Sequence, residues 1–552
     1  MPSITFNLKD LQILIKKKIS IAELEELLSY CKAELDYYDK ETDEITISLA
    51  DTNLPYLWSV EGIARLIKGV LGKEKGLSKI KINKSNYKLF VDNSVKDVRP
   101  YIAAFVAKRN KISEYLLKQI IQLQEKLSEN YGRKRQKLAI GIYPLAKIKF
   151  PVYYKAILPE TISFIPLDFK KEMTQQEILE EHPKGQEYAY ILEDHKRYPL
   201  LIDSEKNVLS FPPIINSEKT GRIEEEEQEL FFEATGTDLD SVLLATNIFS
   251  HALFDRGFSI FSVNINYKNK KIITPKPFNE TIKIKKQEIE NVLGLKLKDS
   301  EIKSLLEKAR YKFQNYKIFI PNYRQDIMHP VDIIEDIAIM NGYSTIKELS
   351  LEKYTSGKTF DIIKFENKAR ELMVGQEFQE IFSPTLSNKN LLYNKMNIND
   401  FGTVEIKEYM SENYSCVRTW ITPVLIQVLA KNKHVSYPQK IFEQGITTIR
   451  NGTDITDYER MAALIASDKA DYTIARQSID ALFRSLGIVY KIEETKHDSF
   501  IEGRVGRVIV NDKKVAYVGE INPRVLETFG ISVPVAGFEL NLSDLLEAVK
   551  KE

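Results

Sequence analysis

The sequence predicts an α+β protein of several domains, and three observations carry the prediction. The chain has 552 residues, whereas a single domain usually holds about 100–200. Stretches that alternate apolar and polar residues are interleaved with stretches of helical periodicity, as in Ile45–Leu49 and Ile112–Asn130. The composition is 43% hydrophobic and 28% charged, with 23 Gly and 20 Pro, which excludes disordered, collagen-like and coiled-coil chains. The 79 Lys and Arg face 78 Asp and Glu, for a net charge of +1. Any contact with nucleic acid must then come from local patches. The two cysteines, Cys31 and Cys416, exclude a disulfide framework and a four-cysteine zinc site, and they fit a reducing compartment. No basic segment leads into an apolar one at the start of the sequence, and no apolar run approaches the ~20 residues that span a bilayer. The expectation is a cytoplasmic protein without a membrane partner.

Four regions follow in order. In residues 1–76, Ser20 can cap a helix beginning at Ile21, with Glu23 placed for a capping box. Ile45–Leu49 alternates as a strand, and Ser59 can cap the helix after Asn53-Leu54-Pro55. Residues 77–270 mix strands and helices. The helix over 112–130 ends at the basic run Gly132-Arg133-Lys134-Arg135-Gln136-Lys137, which is either a solvated helix end or a phosphate contact. The acidic run Glu224–Glu227 would repel nucleic acid. In residues 271–346, Thr281–Ile284 and Lys317–Ile320 read as strands, and Lys286–Leu293 and Ser300–Ala309 as amphipathic helices. Pro330 opens a further helix that Asn341-Gly342 closes. In residues 347–552, Arg507–Val510 and Val515–Val518 form a hairpin around Asn511-Asp512.

The commonest self-contained catalytic signatures are missing. No two glycines lie two positions apart, so GxGxxG cannot occur, and Glu352 stands where a P-loop ending at Gly357-Lys358-Thr359 needs glycine. HExxH and GxSxG are absent too. Three constellations remain. Asp326, Asp332, Glu335 and Asp336 bring carboxylates to one helical face, with Arg324 close by. They read either as acids favoured in a first helical turn or as oxygen ligands for a hard cation such as Mg2+. Glu233-Ala234-Thr235-Gly236-Thr237-Asp238, with Ser210 beside Pro212-Pro213, offers hydroxyls and a carboxylate at a strand end. The plainer reading is a turn in which Thr237 or Asp238 caps the next helix. His182-Pro183-Lys184-Gly185 reads as a surface turn or as a group near a substrate.

These stretches, with Asp51-Thr52-Asn53…Trp58-Ser59-Val60-Glu61-Gly62, Gly141-Ile142-Tyr143, Phe211–Ser217, Pro321-Asn322-Tyr323-Arg324-Gln325-Asp326 and Val518–Pro523, stand in family order from end to end. In this the whole chain resembles the beta subunits of phenylalanyl-tRNA synthetase of the archaeal and eukaryotic type. Two departures are visible. The family usually reads Asn-Arg-Pro-Asp where this chain has Asn53-Leu54-Pro55-Tyr56, and Asp where Glu233 stands.

The resemblance implies an alpha-2 beta-2 enzyme that joins phenylalanine to tRNA(Phe) with ATP and Mg2+. ATP and phenylalanine would bind the alpha subunit. It implies an N-terminal α/β module (1–76), an editing-like domain (77–270), a small helix-rich metal-binding domain (271–346) and a class II synthetase-like antiparallel sheet domain (347–552). Ser210, Glu233 and Thr235 match the family's editing pocket, and Asp326, Asp332, Glu335 and Asp336 its Mg2+ site. The last domain is expected to be inactive. It has neither Phe-Arg-x-Glu nor GxGxxR, and Gly503-Arg504-Val505-Gly506-Arg507 has the wrong spacing. A stand-alone tRNA-binding or editing protein is the rival reading, and a metal-dependent hydrolase built on the acidic helix is the rival from another class.

Overall fold

The computed structural model describes residues 2–49, 53–109, 111–224, 227–351 and 353–550. Asp51, Thr52, Glu225, Glu226 and Glu352 lie outside the described residues. The chain forms two compact units, Met1–Ser350 and Leu351–Glu552.

The first unit opens with strands Ser3–Asn7, Glu44–Leu49 and Ala33–Asp39, the second of them central and both pairings antiparallel. This differs from the expected α/β module: the sheet has no parallel pair and needs no helical crossover. Ile45, Ile47 and Leu49 point inward as the alternation predicts. Ser20 and Ser59 cap their helices by accepting the N–H groups of Glu23 and Gly62.

The large sheet that follows runs, edge to edge, through Ile215–Asn216, Val208–Phe211, Tyr198–Ile202, Val152–Ile157, Lys88–Val91, Ser259–Asn266, Tyr101–Lys108, Glu229–Gly236 and Leu138–Pro144. Helix Leu239–Asp255 is buried at every position from Ser241 to Leu253, the pattern of a helix enclosed on all sides. Phe249 on this helix meets Phe232, which stacks on Phe105 of the next strand, with ring centres 4.7 Å apart in both pairs. Asp238 caps the helix by accepting the N–H of Ser241. The helix expected over 112–130 is observed as Glu114–Lys126 followed by a widened turn, Leu127–Tyr131.

After this sheet come the antiparallel strands Thr281–Lys283, Lys317–Phe319 and Lys312–Gln314. Helices Lys286–Leu293, Asp299–Lys308 and Pro330–Asn341 accompany them. The last helix stops at Gly342, whose φ of 88° suits glycine.

The second unit is a seven-stranded sheet. Its order is Gln379–Glu380, Gln439–Asn451, Asp454–Ala466, Val535–Asn541, Lys513–Ile521, Phe500–Val510 and Lys491–Glu494. Every pair is antiparallel except the first. Residues of the strand Asp454–Ala466 divide by parity between two cores. Met461, Ala463 and Ile465 join helices Asp361–Gly375, Tyr472–Leu486 and Leu542–Lys550, while Ala462, Leu464 and Ala466 join helix Thr422–Lys431. The expected hairpin turns at Asn511 and Asp512, whose φ of 47° and 63° match the two left-handed positions of a type I′ turn.

Candidate functional site

Strand Glu229–Gly236 sends Phe232 and Ala234 into the helical core and Glu233 and Thr235 to the opposite face, as period-two geometry requires. On that face lies a cavity of about 540 Å3 whose wall includes Ser210, Glu233, Thr235, His182, Arg135 and Pro213. The three residues expected at an editing pocket therefore line one cavity, although Ser210 comes from a different strand.

Glu233 stands opposite Gly141 in register. A Cβ at Gly141 would lie 2.2 Å from the Tyr143 hydroxyl oxygen and 2.4 Å from Glu233 Oε1, so only glycine leaves room for this pair. The Tyr143 hydroxyl is 2.8 Å from Ser210 Oγ and 3.0 Å from Glu233 Oε1. Glu233 is 3% exposed, and its second oxygen, Oε2, is buried with no partner. Burial pushes its carboxyl up to about 7, against the opposing pull of the Tyr143 hydrogen bond and the Arg99 charge. The group is thus poised between acid and carboxylate at neutral pH, a property concentrated at functional sites.

Thr235 is fixed from behind. Arg99 donates from Nε to Thr235 Oγ1 at 3.0 Å and from Nη2 to the Thr235 carbonyl at 2.7 Å. Arg99 is fully buried, and desolvation lowers its guanidinium to about 10.

Two cavity residues were not legible as such in the sequence. His182 is 4% exposed, not a surface residue. Its Nδ1 accepts the Lys184 N–H at 3.0 Å, which leaves the proton on Nε2. Nε2 is buried without a partner. The ring lies 4.3 Å from that of Phe169, and burial depresses its basicity, so it is a neutral donor. Arg135 belongs to the basic run, yet it is neither a solvated helix end nor a free phosphate contact. Arg133, Lys134 and Arg135 all take positive φ, and this run turns Arg135 back against the cavity. It donates to the carbonyls of Pro213 and Ile214 at 3.3 and 2.9 Å and covers the Tyr188 ring at 4.3 Å. The sequence signals for these roles were the His182-Pro183-Lys184-Gly185 turn, read as a surface turn or a group near a substrate, and the basic run, neither of which names a partner.

The acidic helix is arranged differently from the expectation of one four-carboxylate centre. Arg324, 5% exposed in its side chain, pairs with Asp326 and, at 2.6 Å, with Asp336. Asp336 also accepts the Tyr311 hydroxyl at 2.5 Å. Asp332 accepts the N–H groups of Met328 and His329 at 2.8 and 2.7 Å, the work of a first-turn acid. Glu335 points outward and meets Lys32 at 3.0 Å. Among the described residues no three His, Cys, Asp or Glu side chains are grouped to hold a metal. The correction has a simple cause: spacing on the helix brings the acids together, but Arg324 comes in from the preceding segment and balances two of them. As they stand in this chain, the four do not fit a Mg2+ centre. Tyr56, at one of the departures from the family motif, is buried and its ring lies 5.3 Å from the same guanidinium.

Comparison with known proteins agrees with this architecture. Residues 347–542 match the family described as phenylalanyl tRNA synthetase beta chain CLM domain, and residues 282–343 match the tRNA synthetase B5 domain. The phenylalanine–tRNA ligase beta subunit of Pyrococcus horikoshii is 43% identical over 554 residues, covering 99% of this chain and 100% of that protein. The corresponding subunit of Thermococcus sibiricus is 40% identical and covers 98% of each chain. The crystal structure of an N-terminal fragment of the Pyrococcus horikoshii beta subunit superposes with a TM-score of 0.60 at 45% identity, covering 62% of this chain and 100% of the fragment. The chain therefore belongs to the phenylalanine–tRNA ligase beta subunits.

Proposed function

We propose that the chain works as the beta subunit of an alpha-2 beta-2 enzyme in the cytoplasm. In this reading it supports attachment of phenylalanine to tRNA(Phe) on the alpha subunit and removes tyrosine from mischarged tRNA. The observation that carries the second part is the buried carboxyl of Glu233, a residue of the cavity wall whose Oε2 has no partner. An apolar pocket shaped for phenylalanine rejects an isostere bearing one extra hydroxyl only weakly, by ~10² in comparable cases. A second site that reads the hydroxyl itself makes up the difference. Glu233 Oε2 can accept the phenolic O–H of tyrosine, and no such contact forms with phenylalanine. His182 lines the same cavity and, as a neutral donor, can hold the ester carbonyl or a water. A further cavity of about 580 Å3 includes Arg133 and Lys137 in its wall, cations suited to the phosphates that lead the tRNA end inward.

The alpha partner is supported by the relatives, which are beta subunits of the ligase and match this chain from end to end. Aminoacylation is assigned to that partner because the sequence lacks the arginine motifs that hold ATP. The purified chain alone is expected to show no phenylalanine-dependent ATP–pyrophosphate exchange, and co-expression with an alpha subunit is expected to restore it. Exchange by the chain alone would overturn the division of labour.

Mg2+ accompanies ATP in this reading. Its placement on the acidic helix is kept only as a proposal for the assembled enzyme, in which Asp332 and Glu335 would exchange their present partners, the Met328 and His329 N–H groups and Lys32, for the cation. The variant Asp332→Ala/Glu335→Ala should lower the divalent metal content of the heterotetramer. An unchanged content would remove these residues from any metal site.

A further inference from the structure

A third cavity, of about 290 Å3, lies in the unit read as catalytically silent. Strand register builds its floor. Arg507 stands opposite Tyr517, and Tyr517 opposite Glu539, so three adjacent strands present these side chains in one row on one face. Arg460 joins them from the strand beyond Glu539, two positions from its register partner Ala462. The Arg507 guanidinium carbon lies over the Tyr517 ring, 3.9 Å from its centre. The remaining wall is aromatic: the His497 ring sits 4.8 Å from Tyr517, 5.9 Å from Trp420 and 5.2 Å from Phe500.

Charge in this cavity is unbalanced. Glu539 is fully engaged, accepting the N–H groups of Ile421 and Thr422 at 3.1 and 2.8 Å, the Thr422 hydroxyl at 2.6 Å and Arg460 Nη1 at 3.3 Å. Arg507 has only the carbonyl of Lys514, at 3.1 Å, and among the described residues no carboxylate lies within ion-pair distance of it. The Nε–H groups of Arg460 and Arg507 are both buried and unpartnered. Buried donors without acceptors are costly and rare in native structures, and a guanidinium fork suits a carboxylate. A scaffold has no use for two such donors inside an aromatic box.

We propose that this cavity binds a small aromatic carboxylate, its carboxylate on Arg507 and Arg460 and its ring against Trp420 and His497. The volume lies just below the ~300–1,000 Å3 of ordinary ligand sites. It admits a molecule of amino-acid size and excludes a nucleoside triphosphate. A free aromatic amino acid and an aromatic acid without the amino group share this chemistry. Asp544, which also lines the cavity and already pairs with Lys513 at 2.8 Å, separates them, since of the two ligands only the former brings it an ammonium.

The chain carries two tryptophans, Trp58 and Trp420. A Trp58→Phe variant of the full chain therefore reports from the cavity alone. Titration with phenylalanine and with 3-phenylpropanoate should change Trp420 fluorescence saturably, and acetate should not. Tighter binding of phenylalanine identifies an amino acid as the ligand, and equal binding identifies the simpler acid. Arg507→Lys keeps the charge and loses the fork, and should weaken binding at least tenfold. Calorimetric titration of the unsubstituted chain repeats the measurement without relying on the Trp58 replacement. The proposal fails if neither aromatic acid binds at millimolar concentration, if Arg507→Lys binds as well as the parent, or if adenosine monophosphate binds in preference to both.

Discussion

Arg324→Ala is expected to destabilise the first unit by about 3–5 kcal/mol, the usual result of removing one partner from a buried ion pair. The guanidinium is enclosed: its side chain is 5% exposed, and the rings of Tyr56 and Tyr311 lie 5.3 and 5.2 Å from it. It balances Asp326 and Asp336, which are 6% and 13% exposed. Without it, two carboxylates face each other in a poorly hydrated site, together with the Tyr311 hydroxyl that already donates to Asp336. Domains are stable by only about 5–15 kcal/mol, so the loss is a large fraction of the whole. Arg324→Lys should recover part of it, because an ammonium restores charge but neither the two-pronged contact nor the planar group's packing against the two rings. Urea denaturation of the three proteins measures the order parent, Lys, Ala. Equal midpoints for parent and Ala would show that the carboxylates are balanced by something other than Arg324.

The same residue shows where sequence reading stops. The caps at Ser20, Ser59 and Asp238, the helix opened by Pro330 and the turn at Asn511-Asp512 were all legible, because each rests on chemistry within four residues. Ser210, Glu233 and Thr235 were grouped as hydroxyls and a carboxylate at a strand end, but their place in one pocket was legible only through family resemblance. Their physical connection runs through Tyr143, which is 67 residues from Ser210 and 90 from Glu233 in sequence. The room for that connection is made by Gly141, whose significance depends on strand register. The acidic helix misled for the complementary reason. Helical spacing puts the acids on one face, but the cation that answers them belongs to a segment outside the helix. For His182 and Arg135 the sequence left two readings open: a turn rich in His, Lys and Gly, or a short basic run, is usually solvated, and only long-range packing turns these two inward. Tyr517 and Arg507 were hidden in a hairpin whose turn was plain while its neighbours in the sheet were not.

Glu233→Gln is expected to lower the hydrolysis of tyrosyl-tRNA by the heterotetramer about 10²–10⁴-fold while leaving phenylalanine charging intact, and at the same time to stabilise the chain. Both effects come from one buried carboxyl. Its folded pKa is raised from 4.5 to about 7. Between those values the native state holds a proton that the unfolded state has released, so stability falls as pH rises through this window and stays low above it. At 1.36 kcal/mol per unit, the parent at pH 8 carries a burden of about 3 kcal/mol that Gln, which does not ionise, lacks. The difference in stability between the two proteins should therefore open from pH 4.5 to 7 and be constant beyond. Function runs the other way. The ionised carboxylate is the stronger acceptor for a phenolic hydroxyl, so clearing of tyrosine by the parent should rise with pH through about 7. The Gln variant should show no such rise. A variant that is more stable and still clears tyrosine at the parent rate would make Glu233 a structural residue. A parent rate that falls as pH rises through 7 would instead make the protonated acid the working form, donating to the substrate. The outcome on which the reading depends is the pairing of the two changes, stability gained and discrimination lost, because a carboxyl buried with one oxygen unpartnered is costly in the free protein unless a ligand supplies what the fold withholds.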